Sequence, residues 1–158
     1  MKPLPFPFAL NIGTDIVHLP RISRLLNRRG GYLASFTRRI LCEQEQRDFH
    51  ARFALSPRST VSPSASTESI PPREPPIIIT ADMTRWLAGR FAAKEAARKA
   101  APTGAATTGW KDVMVRVGEA AQEGRPEIVY LGPEGGRVGK LSISHDGDYV
   151  VATVLAAG

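Results

Sequence analysis

A single cysteine, Cys42, leaves this chain without the second thiol that an intramolecular disulfide or a CxxC metal site requires. A reducing compartment is therefore expected. Long apolar runs are also missing: none approaches the ~18 residues of a membrane span, although 42% of the residues are hydrophobic and can furnish a core. The amino terminus, MKPLPFPFAL, has three prolines in its first seven positions and no apolar stretch of the roughly 7–15 residues found in secretory signals. It also lacks the Arg/Ser-rich amphipathic pattern of a transit peptide. An intracellular protein is expected, in the cytoplasm or, as a processed form, the mitochondrial matrix. Aromatic residues are sparse at 7%, which argues against a stacking platform for single-stranded nucleic acid. Acidic residues are outnumbered, 15 Asp+Glu against 21 Lys+Arg, giving a net charge of 21 − 15 = +6.

The length of 158 residues fits one domain and excludes a large multidomain enzyme. Within it, residues 56–76 contain six serines, two threonines and six prolines, with Val61 and Ile70 as the sizeable aliphatics. Such a stretch cannot bury enough apolar surface to offset its ordering entropy, so a disordered insertion is expected there. About 158 − 21 = 137 residues then form the folded unit.

Phe8 to Val17 alternates as a strand, with Asp15 on the face opposite Ile12 and Ile16. Pro20 suits the first turn of a helix and Gly30 its end, with Ile22, Leu25 and Leu26 spaced along one side. A second helix is predicted from Phe36 to about Phe53. Thr84 is the expected N-cap of an alanine-rich helix from Arg85 to Ala100. The remainder reads as strands at Val113 to Val117, Glu127 to Leu131, Lys140 to His145 and Tyr149 to Leu155, the last two joined around Asp146-Gly147 as a hairpin. Helices first and antiparallel strands later predict an α+β fold.

Two carboxylates stand out against their surroundings. Asp15 interrupts an apolar strand, where aspartate is a poor strand former. Glu95 continues the stripe Leu87, Phe91, Glu95, Lys99, four residues apart on the helix, and so is partly shielded from water. Local structural readings exist for both: Asp15 accepting backbone N–H bonds or pairing with Arg21, and Glu95 pairing with Lys99 one turn on. The functional alternative is that two carboxylates distant in sequence hold a hard cation whose shell substrate phosphates complete. Ser142, Ser144 and His145 show no G-x-S-x-G elbow, so serine-triad chemistry is unsupported. Gly136-Arg137-Val138-Gly139 and Gly139-Lys140 read as turn glycines rather than a KH loop or a P-loop. Eight arginines between Pro20 and Arg52 face only Glu43, Glu45 and Asp48, so this stretch supplies 8 − 3 = +5 of the +6. It is a solvated face or a docking surface for an acidic partner.

Taken together, GTDIVHLPRI (Gly13 to Ile22), FTRRILCEQE (Phe36 to Glu45), WLAGRFAAKEAARKA (Trp86 to Ala100) and LSISHDGDY (Leu141 to Tyr149) resemble the ordered motifs of the holo-acyl-carrier-protein synthases, the short-chain 4′-phosphopantetheinyl transferases. The resemblance spans nearly the whole chain outside the insertion. It implies an antiparallel sheet packed with a long central helix, and transfer of phosphopantetheine from coenzyme A to a serine hydroxyl of an acyl carrier protein, releasing 3′,5′-ADP, in fatty acid biosynthesis. By that resemblance Asp15 and Glu95 hold Mg²⁺, for which Mn²⁺ is a possible substitute. Asp15, directly or through a water on the metal, takes the serine proton. Lys99 contacts the coenzyme diphosphate. Arg90, Thr103, Gly104, Ser142 and His145 contribute to the coenzyme site, with Arg85 a candidate for its 3′-phosphate. Arg21 and Arg39 dock the carrier, and three protomers assemble with their sites between neighbours. The sequence departs from the family's Gly-Thr-Gly at Pro102-Thr103-Gly104. A basic nucleic-acid-binding module is the alternative of a different class, and a metal-dependent nuclease the third.

Overall fold

A computed structural model describes residues 3–4, 6–28, 31–55, 77–117, 125–133 and 135–158. The expected insertion at 56–76 and Gly30, expected to end the first helix, lie outside these residues; that helix already ends at Leu26, with Asn27 as its C-cap. Strand β1 spans Leu10–His18, starting two residues later than expected. Helix α1 (Leu19–Leu26) follows directly, with Pro20 in its first turn, where a missing N–H leaves no hydrogen bond unmade.

The single helix predicted between Phe36 and Phe53 is two helices, α2 (Tyr32–Ile40) and α3 (Glu43–Arg52). Leu41 and Cys42 are extended at the break. A carboxylate explains it: Glu45 Oε2 accepts the Cys42 N–H at 3.0 Å, capping α3, while Lys94 donates to the Ile40 carbonyl at 2.7 Å and so satisfies the end of α2.

Helix α4 covers Ala81–Ala100, and its N-cap is Thr80 rather than Thr84. The Thr80 hydroxyl accepts the Met83 N–H at 3.1 Å, whereas Thr84 lies a turn inside and donates back to the Thr80 carbonyl. Asp82 in the first turn and Arg98 and Lys99 in the last complement the helix dipole. The extended Ala101 before Pro102 ends the helix.

Strands β2 (Val113–Arg116), β3 (Glu127–Tyr130), β4 (Arg137–Asp146) and β5 (Tyr149–Ala157) complete a five-stranded sheet in the order β1-β5-β4-β3-β2, each neighbour antiparallel. Gly147, at φ +50°, and Asp148 form the turn between β4 and β5. This is the expected α+β arrangement. One face of the sheet carries α4, whose other sides pack against the α1–α3 layer through Phe91 on Phe36 and Trp86 on Phe49 and Phe53. Alanines 88, 92, 93, 96, 97 and 100 are buried and let α4 approach its neighbours on all sides. Closest is β1: a Cβ at Gly13 would collide with the Ala96 carbonyl, which gives the glycine two residues before Asp15 a steric reason.

The opposite sheet face is open. Leu10, Ile12, Thr14 and Ile16 alternate away from α4, and the register sets Ile12 against Leu155 and Ile16 against Val151. Ile12 is 69% and Ile16 62% exposed.

Candidate active site

Near the contact between β1 and α4, each of the two notable carboxylates meets a cation of α4. Asp15 pairs across the sheet with Ala152, on the face covered by α4. Lys99 Nζ donates to Asp15 Oδ1 and to the Thr14 carbonyl, both at 2.9 Å. One turn earlier on α4, Glu95 Oε1 accepts from Arg98 Nη1 at 2.6 Å. The alternative pairings fail: Glu95 bonds Arg98 instead of Lys99, and Asp15 bonds Lys99 instead of Arg21. The Asp15 and Glu95 side chains are 17% and 21% exposed, so both are shielded yet reachable. Each ion pair uses one carboxylate oxygen.

Beyond α4, residues 101–108 close into a compact turn. Gly104 adopts φ +80° and donates to the Ala101 carbonyl, while the hydroxyls of Thr107 and Thr108 bond the carbonyls of Thr103 and Gly104. Arg98 spans this turn, donating from Nε to the Thr108 carbonyl at 2.6 Å and from Nη2 to the Ala105 carbonyl at 2.9 Å. A cleft of about 400 Å³ opens beside it, lined by Thr103, Thr108, Asp112, Tyr130 and Arg137 among others. The Tyr130 hydroxyl donates to the Ala97 carbonyl at 2.8 Å, and burial pushes it up to about 12.

Known proteins resemble this chain in sequence and in fold. The family model of the 4′-phosphopantetheinyl transferase superfamily matches residues 11–154. The chain belongs to this superfamily. It is 67% identical to 4′-phosphopantetheinyl transferase B, mitochondrial, of Aspergillus fumigatus, over 100% of both chains. It is 35% identical to a holo-[acyl-carrier-protein] synthase of Gloeobacter violaceus, covering 96% of this chain and 95% of that one. Among solved structures, the Bacillus anthracis holo-(acyl-carrier-protein) synthase in complex with CoA (3′,5′-ADP) has a TM-score of 0.60 at 28% identity, over 94% of this chain and 96% of that one. The Neisseria meningitidis synthase has a TM-score of 0.60 at 30% identity, over 94% and 98%.

The other expected site residues of this superfamily member are dispersed. Ser142 and His145 are three apart on β4, an odd separation that sends them to opposite sheet faces. His145 is on the α4 side near the hairpin, two strands from β1, whereas Ser142 lies on the open face beside Thr153, whose hydroxyl meets that of Thr14 at 3.1 Å. Arg90 stacks on Trp86, its guanidinium carbon 3.4 Å from the ring centroid, and burial lowers it to about 10. Arg85 is at the other end of α4 and pairs with Asp82 at 3.0 Å. Arg21 on α1 and Arg39 on α2 are exposed and form no ion pair among the described residues.

Two residues were not foreseen. Arg98 stands three positions from Glu95, a spacing that signals a helical ion pair. Lys94 is fully buried and paired with Glu45, which also accepts the Val115 N–H at 3.0 Å. Burial lowers the Lys94 ammonium below its ordinary value, opposed by Glu45.

Proposed function

We propose that this protein transfers the 4′-phosphopantetheine group of coenzyme A to a serine hydroxyl of an apo acyl carrier protein, releasing 3′,5′-ADP. The observation that carries the reading is the contact of Asp15 with Lys99 where β1 crosses α4, with Glu95 one turn earlier on the same helix, in a chain of this superfamily. The donor chemistry fits Mg²⁺: two carboxylates supply hard oxygens, and substrate oxygens would complete the shell. When bound there, Mg²⁺ supplies charge neutralisation at the diphosphate.

The chain's own residues do the rest. Asp15 and Glu95 would hold the cation that receives the diphosphate, and Lys99 would turn its ammonium from Asp15 to a phosphate oxygen. The carrier serine oxygen forms a bond to the phosphorus on the pantetheine side. The bond from that phosphorus to the bridging oxygen breaks in line, and its electron pair leaves with 3′,5′-ADP. The serine proton passes to Asp15. Thr103 and Gly104 line the phosphate turn, with Arg85, Arg90, Ser142 and His145 completing the coenzyme site across a protomer boundary. A boundary accounts for the wide separation of these residues within one chain.

The exposed Ile12, Ile16 and Leu155 support a homotrimer, since an apolar sheet face of this kind is a surface for burial. Arg21 and Arg39 dock the acidic carrier. Fatty acid biosynthesis is the proposed role. The mitochondrial name of the Aspergillus relative favours the matrix over the cytoplasm. Incubating the protein with coenzyme A, Mg²⁺ and an apo carrier, then weighing the carrier, tests the activity. Gain of one phosphopantetheinyl group with release of 3′,5′-ADP supports it; an unchanged carrier mass contradicts it.

A further inference from the structure

Arg98 engages every nitrogen of its guanidinium. Nη1 bonds Glu95, Nε and Nη2 bond the carbonyls of Thr108 and Ala105, and the guanidinium carbon lies 4.9 Å from the Trp110 ring centroid. These partners diverge from one point toward a carboxylate on α4 and two carbonyls in the following turn. Only a planar group with five fixed donors meets all of them, and a lysine ammonium at the same place would not. Because Thr107 and Thr108 are bonded back to Thr103 and Gly104, holding the Ala105 and Thr108 carbonyls holds the whole turn.

Charge gives Arg98 a second effect. Asp15, Glu95, Arg98 and Lys99 sum to zero, so Arg98 neutralises a carboxylate that a divalent cation also requires. We propose that Arg98 is a positioning residue that ties Glu95 to the 103–108 turn, bracing the turn for the coenzyme while opposing the metal ion electrostatically. The inference rests on Glu95 being a metal ligand and the turn a coenzyme element.

The two effects have opposite signs, which separates them from a general structural role. In Arg98→Met, Mn²⁺ added without coenzyme should bind severalfold more tightly by electron paramagnetic resonance, because Glu95 is no longer neutralised. The KM for coenzyme A and its calorimetric Kd should rise by roughly tenfold or more, from loss of the charge-assisted bonds to the turn. Arg98→Lys should return Mn²⁺ affinity close to that of the native protein while leaving coenzyme binding weak. Arg98→Gln makes the same comparison if the methionine variant does not fold. Parallel weakening of both ligands, no change in either, or full rescue of both by lysine would overturn the inference. If the native full-length protein binds no coenzyme A with Mg²⁺ present, the transferase reading fails first. If it does bind and the variants show no split, the role of Arg98 alone fails.

Discussion

Asp15 is tolerated within a strand because Lys99 meets it from the helix above, and Glu95 is tolerated on a largely buried helix because Arg98 reaches back to it. Their candidacy was legible because each charge breaks an apolar pattern. Their partners were not, since side-chain direction at the β1–α4 contact decides between Lys99 and Arg98. Tyr130 gives a prediction at this scale. Its raised value, about 12, means that between pH 10 and 12 the unfolded chain releases a phenolic proton that the native state retains. Stability therefore falls with rising pH across that window, and below it the group contributes no slope. Thermal melts of Tyr130→Phe should show a shallower alkaline decline than the native protein. They should also show a loss of about 0.5–1.5 kcal/mol at neutral pH, from the missing bond to Ala97. Identical alkaline slopes would contradict the assignment.

At the level of elements, α4 organises the molecule because alanines on several sides let the sheet and the α1–α3 layer close on it together. The Glu45–Lys94 pair then fixes α3 and the end of α2 against that helix. The sequence carried the existence and type of β1, α1, α4 and the β4–β5 hairpin through periodicity and turn residues. It did not carry the break at Leu41-Cys42, because Glu45 and Lys94 are 94 − 45 = 49 positions apart and the hydrophobic spacing continues across the break. Nor did local pattern reveal that the isoleucine face of β1 is the exposed one; that depends on Gly13 admitting α4 to the opposite side. Lys94→Met should destabilise the protein by about 3–5 kcal/mol in urea unfolding, since it leaves Glu45 buried and unpaired. Adding Glu45→Met should recover part of the loss, but only part, because Glu45 also serves the Cys42 and Val115 amides. A single variant as stable as the native protein would contradict this role.

For the whole molecule, charge and apolar surface lie in different places. The arginines of α1–α3 are exposed on the helices, and the exposed isoleucines lie on the open face of the sheet at β1. Arg21→Glu or Arg39→Glu should weaken carrier use while sparing coenzyme A affinity, and added salt should weaken the native pair similarly. Loss of coenzyme affinity with carrier binding intact would show that these arginines serve the other substrate. Light scattering should give a homotrimer that Ile16→Asp dissociates, with activity falling alongside; a monomer fully active at nanomolar concentration would contradict a shared site.

The central claim is that Asp15 and Glu95 act as one unit at the reacting diphosphate, and transfer rates of Asp15→Ala, Glu95→Gln and the double variant test it most directly. Each single variant should melt as a folded protein yet lose transfer, and the double variant should lose little more than either alone, as expected for groups that work together. Near-native turnover by either folded single variant at modest Mg²⁺ would contradict the claim.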